Sequence, residues 1–316
     1  MSDIRKEREG TGQIDGLFYE VLRPSPSAAR DREKAESVTE DAPVLLALPG
    51  FLSDGRQLKR LLREIGRRCV VVDPLGAGRS QPSNQPEDYA WPRQVERIVR
   101  LLDHLKLDCV DVLGVSMGGM WLQQALLLAP QRIGQAILVA TCAGLSPRQR
   151  SILLGLLSLW QAGVSRLDVW RVLAPLLFSV EFLEQPSAIA LLEMLASDPR
   201  SHSAEAEEGR VVPLRQLHAM LAHDLRQALL ERYADERTPR PACTVIGCER
   251  DILMSPSSQR ELAQALSAPL HMLPGVGHTV WLEQPSLLSA LVRRVLSGGP
   301  SHENSRSQLT AGAGSG

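Results

Sequence analysis

The sequence has few aromatic residues, almost no net charge and no long hydrophobic run. Phe, Trp and Tyr make up 4% of the 316 residues, so the core must be built mainly from aliphatic side chains. The formal net charge is −1, which gives no reason to expect nucleic acid as the main partner. The N-terminus lacks an apolar signal segment, and no stretch reaches the roughly 20 apolar residues of a spanning helix. We therefore expect neither a secretory signal nor an integral membrane segment.

Disulfide, metal and cofactor signals are also missing. The five cysteines are odd in number and widely spaced, which is typical of reduced thiols and predicts a cytoplasmic protein. His218 and His223 are five residues apart, so on a helix they point about 140° apart and do not share a ligand face. There is no phosphate-binding Gly-Lys-Ser/Thr loop and no complete dinucleotide fingerprint. We expect neither a metal nor a cofactor.

The pattern of apolar residues predicts one α/β domain with an insertion. Short apolar runs alternate with helical patterns in two separate stretches, which is typical of a mostly parallel sheet flanked by helices. Between these stretches strand signals vanish and Leu-rich amphipathic patterns take over. We predict a loose N-terminal segment over 1–15, an α/β core over 16–144 and 239–296, a helical cap insertion over 145–238 and a disordered tail over 297–316.

The run Gly114-Val115-Ser116-Met117-Gly118-Gly119 is the most informative motif. It follows a predicted apolar strand and precedes a predicted helix. Glycines beside a serine allow a tight strand-to-helix turn that presents the serine hydroxyl above the sheet. The alternative is a Gly-rich turn at an ordinary helix start, with Ser116 as its cap. The strand and helix on either side favour a nucleophile.

A serine nucleophile needs a base, and the base needs an acid that orients it. Of the seven histidines, His278 is the one predicted to lie in a loop at the end of a strand. Asp251 follows the preceding predicted strand and is the candidate acid, with Glu249 as a competitor. The alternatives are a structural role for His278, and for Asp251 a pairing with Arg250 or the capping of a turn.

An anionic tetrahedral intermediate needs two hydrogen-bond donors, usually backbone N–H groups. Met117, the residue after the serine, supplies one candidate donor. Phe51 supplies the other, because it lies in the loop after an early strand, where Gly50 permits a turn. Trp121 and Trp281 lie close to these motifs in the sequence and are candidate substrate contacts.

With these residues in place, the sequence resembles the α/β-hydrolase-fold enzymes, and within them small esterases and lactonases. The resemblance is carried by Leu48-Pro49-Gly50-Phe51, the run from Asp73 to Ser80, the elbow around Ser116, Asp251, and Gly277-His278. Pro49 departs from the pattern, since the family usually has His there. The resemblance implies an α/β-hydrolase fold with a helical cap and a Ser-His-Asp triad.

We therefore expect a cofactor-independent serine hydrolase that acts on a small-molecule ester or lactone through an acyl-enzyme. Two alternatives remain open. The elbow also resembles that of homoserine acetyltransferases, so the same triad would serve an acyltransferase. A non-catalytic ligand sensor is the other alternative, because a fold does not fix a function. The sequence specifies neither the acyl chain nor the oligomeric state.

Overall fold

The computed structural model describes residues 10–24, 43–196, 207–234 and 240–298, in which eight strands form one sheet. The strands are β1 (Gly10–Ile14), β2 (Leu17–Leu22), β3 (Leu45–Leu48), β4 (Cys69–Val72), β5 (Val110–Val115), β6 (Ile133–Val139), β7 (Ala242–Cys248) and β8 (Leu270–Leu273). Their order in the sheet is β1-β2-β4-β3-β5-β6-β7-β8. The pairs β1–β2 and β2–β4 are antiparallel, and the remaining pairs are parallel.

Twelve α-helices accompany the sheet in the described ranges. They are α1 (Gly55–Ile65), α2 (Trp91–His104), α3 (Met117–Leu128), α4 (Pro147–Gln161), α5 (Arg166–Leu177), α6 (Val180–Leu183), α7 (Pro186–Ala196), α8 (Glu207–Leu221), α9 (Arg226–Ala234), α10 (Pro256–Ala265), α11 (Val280–Glu283) and α12 (Pro285–Leu296). Short 3-10 helices cover Pro86–Tyr89 and Pro130–Arg132.

The central strands are buried on both faces, as the continuous apolar runs predict. Every residue of β3, β4 and β5 is buried. One hydrophobic cluster lies where α1 and α12 pack together against the sheet, and a second, larger cluster includes the inward residues of α2 and α3. Helices therefore cover both sides, and the predicted α/β-hydrolase fold is confirmed.

Helix α1 shows how local signals place these helices. The side chain of Asp54 accepts the backbone N–H of Arg56 at 2.8 Å and so caps the helix start. Gly66 ends the helix with φ 76°, a left-handed conformation that costs glycine little. Leu58, Leu62 and Ile65 recur at helical spacing and are buried. The apolar stripe then packs on the sheet.

A helical segment separates β6 from β7. Within the described residues of this stretch, α4 to α9 form six helices, and the one strand-like contact is a bridge between Gly144 and Asp224. This is the stretch where the sequence predicts a cap, and its standing as a separate domain stays a prediction. We call α4 to α9 the helical segment below. No helix in the described ranges is both long and apolar enough to span a bilayer.

The expected loose segment over 1–15 is wrong for its second half. Residues 10–14 form β1, which pairs with β2 across a hairpin. The turn is Asp15-Gly16, whose φ angles of 52° and 81° are both positive, as a type I′ turn requires. Strand β1 has mostly exposed side chains, so its apolar pattern is weak, whereas the Asp-Gly pair is the signal that predicts it. Residues 1–9, residues 25–42 and the tail from 299 lie outside the described residues.

One buried carboxylate holds the loop that follows β4. Asp73 accepts the N–H of Gly55 at 2.9 Å and the N–H of Arg79 at 2.8 Å, and the Arg79 guanidinium also donates to it at 2.9 Å. A Cβ on Gly78 would lie 2.5 Å from the same carboxylate, which explains the glycine. The hydroxyl of Ser80 donates to the Asp73 carbonyl at 2.6 Å. Because Gly55 is the first residue of α1, Asp73 also fixes the loop that leads into α1.

We predict that Asp73→Asn lowers the free energy of unfolding by about 2–3 kcal/mol, because it removes a buried charged acceptor from three donors. The matched control is Asp103→Asn, since Asp103 pairs with Arg132 at 2.8 Å and its side chain is 62% exposed. That change should cost less than about 0.5 kcal/mol. Urea unfolding of both variants measures the difference, and equal losses would contradict the role of Asp73.

Candidate active site

Ser116 occupies a strained turn between β5 and α3. Its φ of 52° and ψ of −118° lie outside the regions that non-glycine residues commonly adopt. The turn needs close approach, because a Cβ on Gly114 would lie 2.6 Å from the Gly118 carbonyl oxygen and a Cβ on Gly118 would lie 2.1 Å from that of Leu48. The Ser116 side chain makes no capping hydrogen bond to α3. The Ser116 hydroxyl therefore bonds to a group outside α3.

That partner is His278. The Ser116 Oγ lies 2.9 Å from His278 Nε2, and His278 Nδ1 lies 2.8 Å from Asp251 Oδ2. All three residues are buried. A buried carboxylate at Nδ1 favours the tautomer that carries its proton there, which leaves Nε2 as the acceptor for the serine O–H. The three side chains therefore form one continuous hydrogen-bonded series.

Asp251 is held in place by residues beyond His278. Its Oδ1 accepts the backbone N–H of Met254 at 2.7 Å, and Gln259 donates to its Oδ2 at 3.1 Å. Gln259 is itself fixed, because its Oε1 accepts the backbone N–H of Cys248 at 2.7 Å. Burial raises the pKa of Asp251, while the charge of His278 and the hydrogen bonds from His278 and the Met254 amide oppose that rise. The carboxylate is positioned by several donors around one fixed imidazole.

Glu249, the competing acid, lies elsewhere. It is exposed, and its Oε2 accepts the backbone N–H of Gly275 at 3.0 Å. Arg250 forms an ion pair with Glu181 of α6. The structure therefore brings Asp251 to His278, and the carboxylate of Glu249 binds a neighbouring loop.

The two candidate oxyanion donors flank the serine. The loop after β3 passes over Ser116 so closely that a Cβ on Gly50 would lie 3.2 Å from the Ser116 Cβ. Within the described chain, the backbone N–H groups of Phe51 and Met117 donate to no other residue. Both amides are consequently available to an oxygen bound beside Ser116.

A cavity of about 510 Å³ opens onto Ser116 and His278. Its other polar lining residues are Ser53, Gln57 and Thr279. Its apolar lining comes from the loop after β3, the helical segment, the loop after β7 and α11. The apolar residues are Phe51, Leu52, Leu153, Leu156, Trp170, Leu173, Leu177, Met220, Leu253 and Trp281. No lysine, arginine, aspartate or glutamate lines this cavity in the described ranges.

The two candidate tryptophans have different positions. Trp281 lines the cavity, and its ring meets that of His278 edge to face at a centroid distance of 5.7 Å. Trp121 does not line it: this residue is buried on α3 and lines two smaller spaces away from Ser116. Five positions along a helix rotate a side chain by about 140°, which turns Trp121 away from the serine. Of the two candidate tryptophans, Trp281 therefore lies beside the site and Trp121 does not.

Possible metal ligands are not gathered anywhere in the described residues. No three His, Cys, Asp or Glu side chains there are arranged to hold an ion. His223 is buried, its Nε2 lies 3.2 Å from the Cys142 carbonyl oxygen, and burial lowers its pKa to about 4. His218 instead contacts the Leu214 carbonyl oxygen of its own helix at 2.7 Å. These two histidines face different groups, and His223 lies beyond the end of α8 at Leu221.

A sheet that presents a strained serine, a histidine and a carboxylate from successive loops is the arrangement of hydrolases with a nucleophile elbow. The chain belongs to the alpha/beta hydrolase family, whose model matches residues 44–291.

Curated relatives cover most of the chain. It is 29% identical over 219 residues to a provisionally named carbamate hydrolase, RutD, of Serratia proteamaculans (strain 568), a match that covers 68% of this chain and 75% of that protein. It is 25% identical over 295 residues to a provisionally named 2-succinyl-6-hydroxy-2,4-cyclohexadiene-1-carboxylate synthase of Bacillus subtilis (strain 168), covering 90% and 96%. The family therefore includes named proteins that differ in their reactions.

Solved structures share the fold. MGS-M2, an alpha/beta hydrolase enzyme from a deep-sea metagenome library of the Medee basin, has a TM-score of 0.73 at 19% identity and covers 94% of this chain and 100% of its own. The enol-lactonase from Burkholderia xenovorans LB400 has a TM-score of 0.70 at 18% identity, covering 91% and 100%. At these identities the likeness shows the fold alone.

Sequence reasoning missed two residues of the site. Gln259 lies on α10 and holds Asp251, yet a single glutamine on an amphipathic helix carries no motif. Glu283 on α11 binds Ser179 and packs against Gly277, the residue before His278. A carboxylate five residues after a candidate histidine was a visible signal, but its partners are distant in sequence.

We predict that Gly118→Ala lowers the free energy of unfolding by at least about 2 kcal/mol, because the new Cβ overlaps the Leu48 carbonyl oxygen and must displace β3 or the elbow. Gly155→Ala is the matched control: Gly155 lies on α4, and its Cβ would meet nothing within 4 Å. That change should leave stability unchanged or raise it by up to about 1 kcal/mol. Thermal and urea unfolding measure both, and a harmless Gly118→Ala would contradict the crowded turn.

Proposed function

We propose that this protein is a serine hydrolase that cleaves an uncharged carboxylic ester or lactone through an acyl-enzyme on Ser116. The main support is the buried series of Ser116, His278 and Asp251, with contacts of 2.9 and 2.8 Å, at the floor of an apolar cavity. A serine hydroxyl is a weak nucleophile until such a base removes its proton.

In the proposed mechanism, Ser116 Oγ attacks the substrate carbonyl carbon while His278 Nε2 accepts its proton. Asp251 keeps the imidazole oriented and stabilises the imidazolium that forms. The amides of Phe51 and Met117 donate to the oxyanion of the tetrahedral intermediate. The imidazolium then protonates the leaving alcohol, and a water molecule activated by His278 releases the acid. Ser116, His278 and Phe51 line the cavity, and Asp251 acts through its hydrogen bond to His278.

We also assign the helical segment the role of a cap. Leu153 and Leu156 of α4, Leu173 of α5 and Met220 of α8 line the cavity above the serine. Ser116 is only 4% exposed. A cap in this position supplies apolar surface for the acyl group and limits the access of water.

The lining favours an uncharged substrate. A carboxylate on the substrate would be buried in this cavity beside no lysine or arginine of the described chain, and burial of an unpaired charge costs several kcal/mol. Each Å² of apolar substrate surface that the leucines cover contributes roughly 25 cal/mol to binding. The names of two solved structures with the same fold, an enol-lactonase and an esterase, agree with this substrate class.

An acyltransferase with the same mechanism is the second candidate. The low exposure of Ser116 favours it, because an enclosed apolar cavity holds back water and lets an alcohol compete for the acyl-enzyme. Hydrolysis is preferred if added alcohols do not divert the acyl group. Product analysis with butanol present, comparing butyl ester with free acid, distinguishes the two.

We predict that Ser116→Ala lowers the turnover of p-nitrophenyl butyrate at least about 10³-fold, since the nucleophile is lost while the donors for the oxyanion remain. Ser158→Ala is the control, because Ser158 lies on α4 and its hydroxyl donates to the Leu154 carbonyl at 3.0 Å. That variant should keep wild-type turnover, and a fluorophosphonate should label it but not Ser116→Ala. Retention of more than a tenth of the turnover by Ser116→Ala would rule out the proposed nucleophile.

We predict that a charge on the acyl group reduces kcat/KM at least about 100-fold, the consequence of burying an unpaired carboxylate. The test compares p-nitrophenyl pentanoate with the mono-p-nitrophenyl ester of glutaric acid, which has similar length and one carboxylate. Comparable kcat/KM values for the two esters would show that the substrate class is wrong.

A further inference from the structure

The loop that carries His278 is bound to the helical segment on both sides of the histidine. After His278, the backbone N–H and the hydroxyl of Thr279 both donate to the Leu177 carbonyl oxygen, at 3.0 and 3.1 Å. Before it, Gly277 packs against the carboxylate of Glu283, so that a Cβ on Gly277 would lie 2.6 Å from Oε1. Leu177 is the last residue of α5. The position of the imidazole therefore depends on the end of α5.

Glu283 completes this connection from the other side. Its Oε1 accepts the backbone N–H of Ser179 at 3.2 Å, and its Oε2 accepts the Ser179 hydroxyl at 2.7 Å. Ser179 is the N-cap of α6, so it lies in the turn between α5 and α6. One carboxylate thus joins the residue before His278 to this turn.

The packing around Gly277 shows how close the two segments are. A Cβ on Gly277 would lie 2.6 Å from Glu283 Oε1 and 2.6 Å from the backbone N of Ser179. The backbone of the histidine loop therefore packs directly against the backbone of the helical segment at Ser179. The Glu283 carboxylate lies beside this contact. Such a contact transmits a small displacement of one segment to the other.

The electrostatic surroundings of the Glu283 carboxylate also connect it to His278. No lysine or arginine in the described ranges pairs with this carboxylate, whose hydrogen bonds come from the backbone N–H and the hydroxyl of Ser179. Burial raises the pKa of Glu283, the bonds from Ser179 lower it, and so does the charge of His278. The charge of His278 lowers the pKa of Asp251 and that of Glu283. Each of them stabilises an imidazolium in return.

We propose that Glu283 is a positioning residue that ties the His278 loop to the turn between α5 and α6 and so holds the imidazole against Ser116. This inference rests on the proposed serine-hydrolase function. A misplacement of about 1 Å at a reacting group costs on the order of 100-fold in rate, so a bond that prevents such a shift acts on kcat. The same bond makes the cap part of the catalytic geometry, beyond its contribution to the cavity wall.

The test is Glu283→Gln in the full chain, with Glu181→Gln as the matched control. The Gln side chain keeps the shape of Glu283 but turns an –NH₂ group toward donors that need an acceptor, and it removes the charge. Glu181 also lies on the helical segment, in α6, but it forms an exposed ion pair with Arg250 of the loop after β7, and such a pair contributes little. The readouts are kcat and KM for p-nitrophenyl butyrate, the pH profile of kcat/KM, and the rate at which a fluorophosphonate labels Ser116.

We expect Glu283→Gln to lower kcat and the labelling rate at least tenfold with KM changed less than twofold. The rising limb of the pH profile should move to lower pH, because one of the two carboxylates that stabilise the imidazolium is gone. Glu181→Gln should match the wild type in all of these. If Glu283→Gln only lowers the melting temperature, and kcat and the pH profile stay unchanged below it, the proposed role is overturned.

Ser179→Ala covers the case in which Glu283→Gln does not fold. This change removes one donor to Glu283 and leaves the carboxylate and its hydrogen bond from the Ser179 backbone N–H, so kcat and the labelling rate should fall about two- to fivefold with KM unchanged. No change in either rate overturns the proposal. Wild-type labelling at Ser116 separates the two claims: its absence defeats the proposed function and this inference together, whereas normal wild-type labelling with unaffected variants defeats the inference alone.

Discussion

The structure of the site depends on the strained turn at Ser116. The serine leaves β5 and enters α3 with a φ of 52°, a conformation that a non-glycine residue keeps only when its surroundings enforce it. Close backbone contacts at Gly114 and Gly118 enforce this conformation. A side chain at either position would block these contacts. The parallel sheet positions the partners of Ser116, because neighbouring strands end in loops that meet above the serine. Placement of the hydroxyl is thus a property of the core.

Around this turn, the buried hydroxyl, imidazole and carboxylate belong to one hydrogen-bonded network. His278 joins Ser116 to Asp251, and Gln259 supports Asp251 in turn. Glu283 extends the network to the helical segment. Apart from Ser53, Gln57 and Thr279, the remaining lining of the cavity is apolar, so the site combines a fixed polar floor with mainly apolar walls. This division suits a carbonyl that reacts at the floor while its acyl group lies against the walls.

The sequence predicted the parts of this arrangement that local patterns encode. Apolar runs marked the buried strands, and the glycines around Ser116 marked the elbow. Local patterns do not encode long-range contacts. Whether Asp251 or Glu249 faces His278 depends on the path of the loop after β7, and both residues lie at an acceptable distance in sequence from the end of that strand. Trp121 was assigned to the site by its nearness in sequence, although helical rotation turns it away. Strand β1 was missed because pairing with β2, and not an apolar pattern, makes it a strand.

Trapping of the covalent intermediate tests the central claim most directly. The wild-type protein would be mixed with p-nitrophenyl butyrate, quenched in acid during the first turnovers, digested and analysed by mass spectrometry. The proposed mechanism predicts a butyryl group on Ser116 that accumulates with the release of p-nitrophenol and decays as butyrate forms. Release of p-nitrophenol with no adduct at any time, or with an adduct on another residue, would contradict it.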